Sequence, residues 1–546
     1  MRSFRTFLLA LACITGLSSR AQLTSTNLPI VIITAAVPLT DNQVDGNMKI
    51  IDNTSGTNTP GDAPAFNGLV GLKLRGSSTN PKKSYSIETW VNLLEDPLNV
   101  SLMGMPAEND WVLLAEYTDR SLLRDLTGFY IYNQMGYYSA RMRLCEVIVN
   151  EGTGDQYKGV YLFGEKIKRD VSRVDIATLQ PGDNSGEEIT GGYIFTIDEA
   201  GTNANTYWTS LHQPPFASGS QNIKFLYEEP KWDEITGVQK AWIQTYVRKF
   251  EDSLASANFQ DTGIGWRGFA AIKWFRDFFI YNEVMKDEDA YRKNIFLYKD
   301  KSKKLRIGPP WSHERSLYNT ADCNASQATG FAYNYGQTCG SSTYLPPFWW
   351  QRLMNDTAFV TELKCRYTQM RNDVLDTLTI FNYIDSVDSM LNVTQGGGTP
   401  QGRNFTEWQI FGVPLTNEPG GPPANYPEEI SRIKTFIKDR LAWLDTQWYT
   451  PGCVLGIKQL LGDEENSYIS PNPASGEFNT HIMLSKQTAV SVTVHNLQGA
   501  VVYSGNYNLG AGEHKLCHDI SKLAPSMYII TLQQDDHTRN FKLVKN

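Results

Sequence analysis

Two hydrophobic rhythms divide this chain. Period-two and continuous apolar runs fill its first third, and apolar residues every three or four positions fill its middle. Leu28 to Ile33 is a short β-branched run and predicts a buried strand. Gly71 to Arg75 and Ser84 to Glu88 alternate apolar and polar residues across a Gly-Ser-Ser-Thr-Asn-Pro-Lys-Lys turn, which predicts a hairpin. Cys145 to Val149 and Gly159 to Glu165 predict a second strand pair. Helical spacing predicts helices over Ser121 to Met135, capped by Asp119 or Ser121, and over Val238 to Ser256 and Phe269 to Val284. A strand pair follows at Asn294 to Tyr298 and Leu305 to Ile307. Further helices are predicted at Pro347 to Met354, Thr357 to Leu378 and Glu428 to Trp448, with residues 395–425, dense in Gly and Pro, as a long surface loop. Beyond about residue 467 the pattern turns to short alternating strands, Val490 to Val494, Val501 to Tyr503 and Tyr528 to Leu532, which predict a small antiparallel sandwich.

These elements describe an α+β fold in more than one unit. A chain of 546 residues exceeds one ordinary core. Apolar residues at 41% and charged residues at 20% belong to a globular chain rather than a disordered one. A net charge of −8 with no basic stripe gives no support for nucleic-acid binding. The basic start, the apolar run Phe7 to Leu17 and the small residues before Ala21 predict a signal peptide over residues 1–21, and no later run has the roughly 20 apolar residues of a membrane span. The organisation expected is a main domain over 22–450, a linker over 451–467 and a C-terminal β-sandwich over 468–546. Six cysteines remain after cleavage without a Cys-x-x-Cys pair, which disfavours structural zinc, and Cys323 and Cys339 flank a polar loop suited to a local disulfide in an oxidising compartment.

One constellation carries chemistry. Asp289 and Asn294 stand at the Asp-x-x-x-x-Asn spacing of a kinase catalytic loop, where the Asp orients the attacking hydroxyl and the Asn holds a phosphate-bound metal. An Asp before a turn is also a common cap, so the spacing by itself is weak. Upstream, Arg75 opens a polar hairpin loop that closes with Lys82 and Lys83, and Glu165 ends a strand before Lys166 and Lys168. Cations and a carboxylate that fixes one of them are what triphosphate chemistry needs, although lysines at strand ends are more often simply solvated.

Several runs together resemble the spore-coat protein H (CotH) family: Leu72 to Tyr85, Leu102 to Trp111, Asp119-Arg-Ser-Leu, Tyr157 to Lys168, Arg173-Val-Asp-Ile, Thr190-Gly-Gly-Tyr-Ile, and Asn282-Glu283 with Asp289 and Tyr291. The resemblance runs in order over about residues 27–450. It implies an atypical kinase-like fold that binds ATP with Mg²⁺ and phosphorylates protein Ser/Thr. By position it implies Asp289 as the catalytic aspartate, Lys83 with Glu165 as the phosphate-facing lysine and its partner, and Arg75 as a phosphate support; the loop spacing gives Asn294 as a metal ligand. After Ile307-Gly-Pro-Pro-Trp311 the family continues with an Asp that binds metal, whereas this chain has Ser312-His313-Glu314. A serine lacks the charge that hard Mg²⁺ prefers, so Glu314 becomes the candidate ligand.

The tail resembles the C-terminal sorting domain of the type IX secretion system, through Ser470-Pro-Asn-Pro, Val494 to Tyr503, Leu523-Ala-Pro and Phe541-Lys-Leu-Val-Lys. That implies delivery to the cell surface or medium by the secretion machinery. Two functions therefore compete: an exported protein kinase acting on an unidentified protein, and a catalytically silent surface-binding or coat protein. A glycan-binding role would rest only on the abundance of Trp and Tyr.

Overall fold

Strands with alternating inward apolar residues close into a barrel. In the computed structural model, residues 23–453 and 467–545 are described, apart from 77–78, 220, 262, 340–343, 416, 471, 473, 485–486, 497–498, 511 and 535–536; the expected signal peptide and most of the expected linker lie outside them. The barrel is built from β1 (Ile30–Ala35), β2 (Val44–Ile51), β3 (Phe66–Arg75), β4 (Ser84–Trp90), β5 (Asp110–Leu114), β6 (Met142–Asn150) and β7 (Gln156–Glu165). Its order is β1-β2-β3-β4-β5-β7-β6, and a parallel pairing of β6 with β1 closes it. Val31, Ile33, Met48, Ile50, Val70, Leu72, Tyr85, Ile87, Trp111, Leu113, Cys145, Val147, Tyr161 and Phe163 fill the interior, two residues apart along each strand as the pleat requires.

A second sheet, order β12-β11-β8-β10-β9, is formed by β8 (Tyr193–Ile197), β9 (Tyr207–Thr209), β10 (Lys224–Glu229), β11 (Ile295–Lys299) and β12 (Arg306–Pro310). All five residues of β8 are buried, so it lies at the centre. The helices are α1 (Arg124–Gln134), α2 (Gly237–Ala255), α3 (Ile272–Met285), α4 (Tyr335–Thr338), α5 (Trp349–Leu353), α6 (Thr357–Arg371), α7 (Thr377–Leu391), α8 (Pro400–Glu407) and α9 (Tyr426–Trp448); α1 and α3 pack on β12, and α8 packs on β7 of the barrel. Helix α3 is buried on nearly every face, with Phe275, Phe278, Phe279 and Tyr281 in the main core. Its aromatic content, rather than an amphipathic stripe, is why it occupies the centre.

Two expectations need correction. The helix predicted over Thr357 to Leu378 is two helices, because Asp376 accepts hydrogen bonds from the Leu378 and Thr379 amides and starts α7 afresh. Residues 395–425 are not merely a surface loop. They contain α8, whose Arg403 forms a buried ion pair with Glu146 on β6 at 2.7 Å. The Gly and Pro of this segment hid the helix, since Thr399 caps it and Pro400 occupies its first turn, where a missing N–H costs nothing.

The Cys323–Cys339 disulfide is formed, and a second joins Cys365 on α6 to Cys453. The tail is all β. One sheet holds β13 (Ser467–Ser470), β14 (Glu477–Leu484) and β17 (Gly512–Asp519), and the other has the order β16-β15-β18-β19 with β15 (Thr488–His495), β16 (Val501–Leu509), β18 (Ser526–Gln534) and β19 (His537–Lys545). Phe478, Ile482, Val490, Val492, Ile530 and Leu532 are among the residues of its own core.

Burial on α2 raises the Glu251 carboxyl to about 7, although Ser210 and Trp349 donate hydrogen bonds to it. The folded state therefore holds a proton that the unfolded chain has lost between about pH 4.5 and 7, and the stability this supplies disappears as pH rises through 7. Glu251→Gln should raise the melting temperature at pH 8 by the equivalent of about 2 kcal/mol and change it little at pH 5. Melting curves of both proteins at the two pH values check this; a gain that is equal at both would contradict it.

Candidate functional site

The sequence positions of interest converge where one end of the barrel meets the β11–β12 hairpin. Arg75 ends β3, Ser84 starts β4, Glu116 follows β5, Asp125 lies in the first turn of α1, Asn294 precedes β11, and Ser312 and Glu314 follow β12. All of them, with Lys82, line one cavity of about 390 Å³. A smaller recess of about 20 Å³ adjoins it and shares Asn294, Trp311 and Ser312, and Asp289 lines this recess. The structure thus gathers Arg75, Asn294, Glu314 and Asp289 about one place.

Arg75 and Lys82 bring cations to the cavity lining. The Arg75 guanidinium lies 5.1 Å from the centre of the Trp311 ring, a cation–π contact that holds it over the cavity. Burial lowers its pKa while Glu228 and Asp198 oppose the shift. Lys82 is 3% exposed, donates to the Val160 carbonyl and to Asn404 Oδ1 at 3.0 Å, and sits above the Tyr161 ring. Its burial lowers the ammonium to about 7, with Glu116 the leading opposing charge. Asn404 reaches it because Gly159 has no side chain: a Cβ there would lie 2.3 Å from Asn404 Oδ1.

Lys83 and Glu165 are not brought together. Strand register sets Ile87 opposite Trp111 and Trp111 opposite Glu165, so Lys83 lies four residues, about 13 Å, along from the row of Glu165. Glu165 is fully buried and instead takes hydrogen bonds from Arg141 at 2.6 Å and Tyr138 at 3.1 Å. Neither Lys83 nor Glu165 lines the cavity; Lys82 and Glu116 do.

Glu116, Asp125 and Glu314 bring carboxyl groups to the same lining. Glu314 Oε2 accepts from the Thr118 hydroxyl at 2.7 Å, and burial raises its pKa. Asp125, 3% exposed, accepts from the His313 amide, and burial raises its carboxyl to about 7. Glu116 is 6% exposed and raised well above its usual range by burial and by Asp125. Its Oε2 has no hydrogen-bond partner. The 312–314 turn is held from behind by His313, whose Nε2 meets the Tyr281 hydroxyl at 2.9 Å and whose ring lies so near Gly128 that a Cβ there would be 2.3 Å away. Burial lowers His313 to about 3, so it stays neutral and acts as a spacer. Glu116, Asn294 and Ser312 all have left-handed backbones, with φ of 47°, 56° and 62°. Such conformations cost of order 1 kcal/mol each for non-glycine residues and gather at functional sites.

Asp289 is held at the mouth of the recess by Lys293 at 3.0 Å and Arg292 at 3.7 Å, and its amide donates to Asp287 at 2.7 Å. The Asn294 amide donates to Asp198, which ties the end of the Asp289–Asn294 segment to the central strand β8. Beneath it, Glu283 accepts from the Ala332 and Tyr333 amides and pairs with Arg440 at 2.9 Å, both side chains fully buried.

Residues 72–444, more than half of the chain, match the CotH kinase protein family, and residues 468–546 match the secretion system C-terminal sorting domain. The chain belongs to the CotH kinase protein family and carries a type IX sorting tail. Strands β1 and β2 close the barrel yet precede the matched region. No curated protein matches the chain. Among the described residues no helix is long and apolar enough to cross a membrane.

Glu116 and Asp125 escaped the sequence reading because no spacing rule announces them. The signal available was a polar Arg124-Asp125 pair at a helix start inside an otherwise apolar stretch.

Proposed function

We propose that this chain is an exported, atypical protein kinase whose cavity takes the phosphates of ATP with Mg²⁺ and whose Asp289 orients a Ser or Thr hydroxyl of a protein substrate. The observation that carries the reading is the convergence of Arg75, Lys82, Asn294 and Glu314 on one cavity, with Asp289 in the adjoining recess. Phosphoryl transfer depends on positioning and charge, and these are the groups it needs: cations for phosphate oxygens, oxygen donors for a metal, and a carboxylate for the hydroxyl. Bound magnesium would supply positive charge to offset that of the phosphates. The residues fit it, since Asn294, Glu314 and the partnerless Glu116 oxygen offer the hard donors it prefers. The barrel and five-stranded sheet would then be an atypical kinase-like arrangement with the cavity between them, and the tail would direct the domain to the cell surface or medium. The rival reading, a silent surface-binding or coat protein, is favoured by Ser312, which brings no charge to the cavity.

Ligand that prefers the native state raises the melting point in proportion to RT ln(1 + [L]/Kd), about 2.7 kcal/mol at one hundred times Kd. ATP with Mg²⁺ should therefore raise the melting temperature of the full chain by a few degrees, and Arg75→Ala should remove most of that rise. Absence of any shift at millimolar nucleotide would favour the silent reading.

A further inference from the structure

A structural carboxylate near this cavity can have both oxygens occupied. Asp119 is the local example: its two oxygens accept from the Ser121, Leu123 and Arg124 amides and from the Ser121 hydroxyl, and it pairs with Arg124 at 2.5 Å. Glu116, three residues earlier, is the opposite case. It is 6% exposed, its backbone is left-handed, and its Oε2 lacks any donor. An unpaired buried carboxyl oxygen costs on the order of 1–3 kcal/mol, and the left-handed backbone adds to that cost. Glu116 also shares a hydrogen bond with Asp125, whose carboxylate accepts from the amide of His313. The pair therefore lies directly against the turn that carries Ser312, on the same cavity.

We infer that the Glu116–Asp125 pair, entering from the end of β5 and the first turn of α1, supplies the anionic oxygens for the divalent cation that accompanies a bound nucleotide, in place of a charged side chain at position 312. The inference rests on the nucleotide reading above. Two carboxylates in contact are stable only while they share a proton or hold a cation between them, and the Lys82 ammonium, the nearest cation in the lining, already donates to Val160 and Asn404. Among the described residues no cluster of three or more acidic, thiol or imidazole groups forms a ready cage. Magnesium needs no such cage, since it binds through one or two carboxylates and completes its shell with water and phosphate. The uncharged Ser312 leaves room beside the pair, and Glu314, tied to Thr118, closes the far side.

The test is a Mn²⁺ titration of the full chain, read by the electron paramagnetic resonance signal of free Mn²⁺, with and without a non-hydrolysable ATP analogue whose own binding is followed by calorimetry. Wild type should bind one Mn²⁺ most tightly with the analogue. Glu116→Gln and Asp125→Asn, checked for fold by circular dichroism melting, should each weaken it at least tenfold, and Ser312→Asp added to Glu116→Gln should restore it. That rescue is a gain which misfolding cannot mimic. If the analogue binds and Mn²⁺ affinity is unmoved by both substitutions, the pair is not the ligand while the nucleotide reading stands. Should no analogue bind, the nucleotide reading falls, and the titration without it decides: affinity lost on substitution upholds the pair, whereas no binding or no change overturns it.

Discussion

Asp289→Ala should lower phosphoryl transfer by about 10²–10⁴-fold while leaving the melting temperature within a degree or two of wild type. Asp289 lines the recess that opens from the cavity past Asn294 and Ser312, which is where a hydroxyl approaching the terminal phosphate would stand. Its carboxylate is held by Lys293 and Arg292 on its own segment, and these contacts join neighbours in sequence rather than distant elements. Removing it therefore deletes a function without opening the core. Transfer of labelled phosphate from ATP to the chain itself or to surface proteins of the native host supplies the rate. An alanine variant as active as wild type would remove Asp289 from the chemistry.

Arg440→Ala should have the largest effect on stability. Arg440 is fully buried on α9 and donates to the Glu283 carbonyl, to the Glu283 carboxylate at 2.9 Å, and to the carbonyls of Ala328 and Gly330. It thereby joins α9, the C-terminal end of α3 and the loop spanned by the Cys323–Cys339 disulfide. Truncation leaves the Glu283 charge buried without its cation, a loss of about 3–5 kcal/mol. Denaturant unfolding measures it, and Glu283→Gln in the same chain should recover part of the loss by removing the stranded charge. A change under 1 kcal/mol would mean that the pair contributes little. Because α3 leads directly into the Asp287–Asn294 segment, the variant should also lose nucleotide-dependent stabilisation at temperatures where it remains folded.

Local structure was legible where one element reports itself. The β3–β4 hairpin, the strand pair β6 and β7, helices α1, α2, α3 and α9 and the tail strands follow from period and turn chemistry. Barrel closure was not, because it depends on the parallel pairing of Val31 with Val147 and its neighbours, contacts more than one hundred residues apart that no local pattern encodes. The site divides in the same way. Asp289 and Asn294 are five apart in one loop, and their spacing survives intact as a shared recess. Lys82 and Lys83 are adjacent in the bend before β4, and of the two only Lys82 lines the cavity. Glu116 and Asp125 come from separate elements, and packing against the 312–314 turn is what makes them neighbours of Ser312.

Titration calorimetry of ATP into the full chain, with and without Mg²⁺, tests the central claim most directly. The account predicts a single saturable site that requires Mg²⁺ and is weakened at least tenfold by Arg75→Ala, since that guanidinium lies over the cavity on Trp311. No heat of binding in either condition, or binding indifferent to both Mg²⁺ and Arg75, would contradict it.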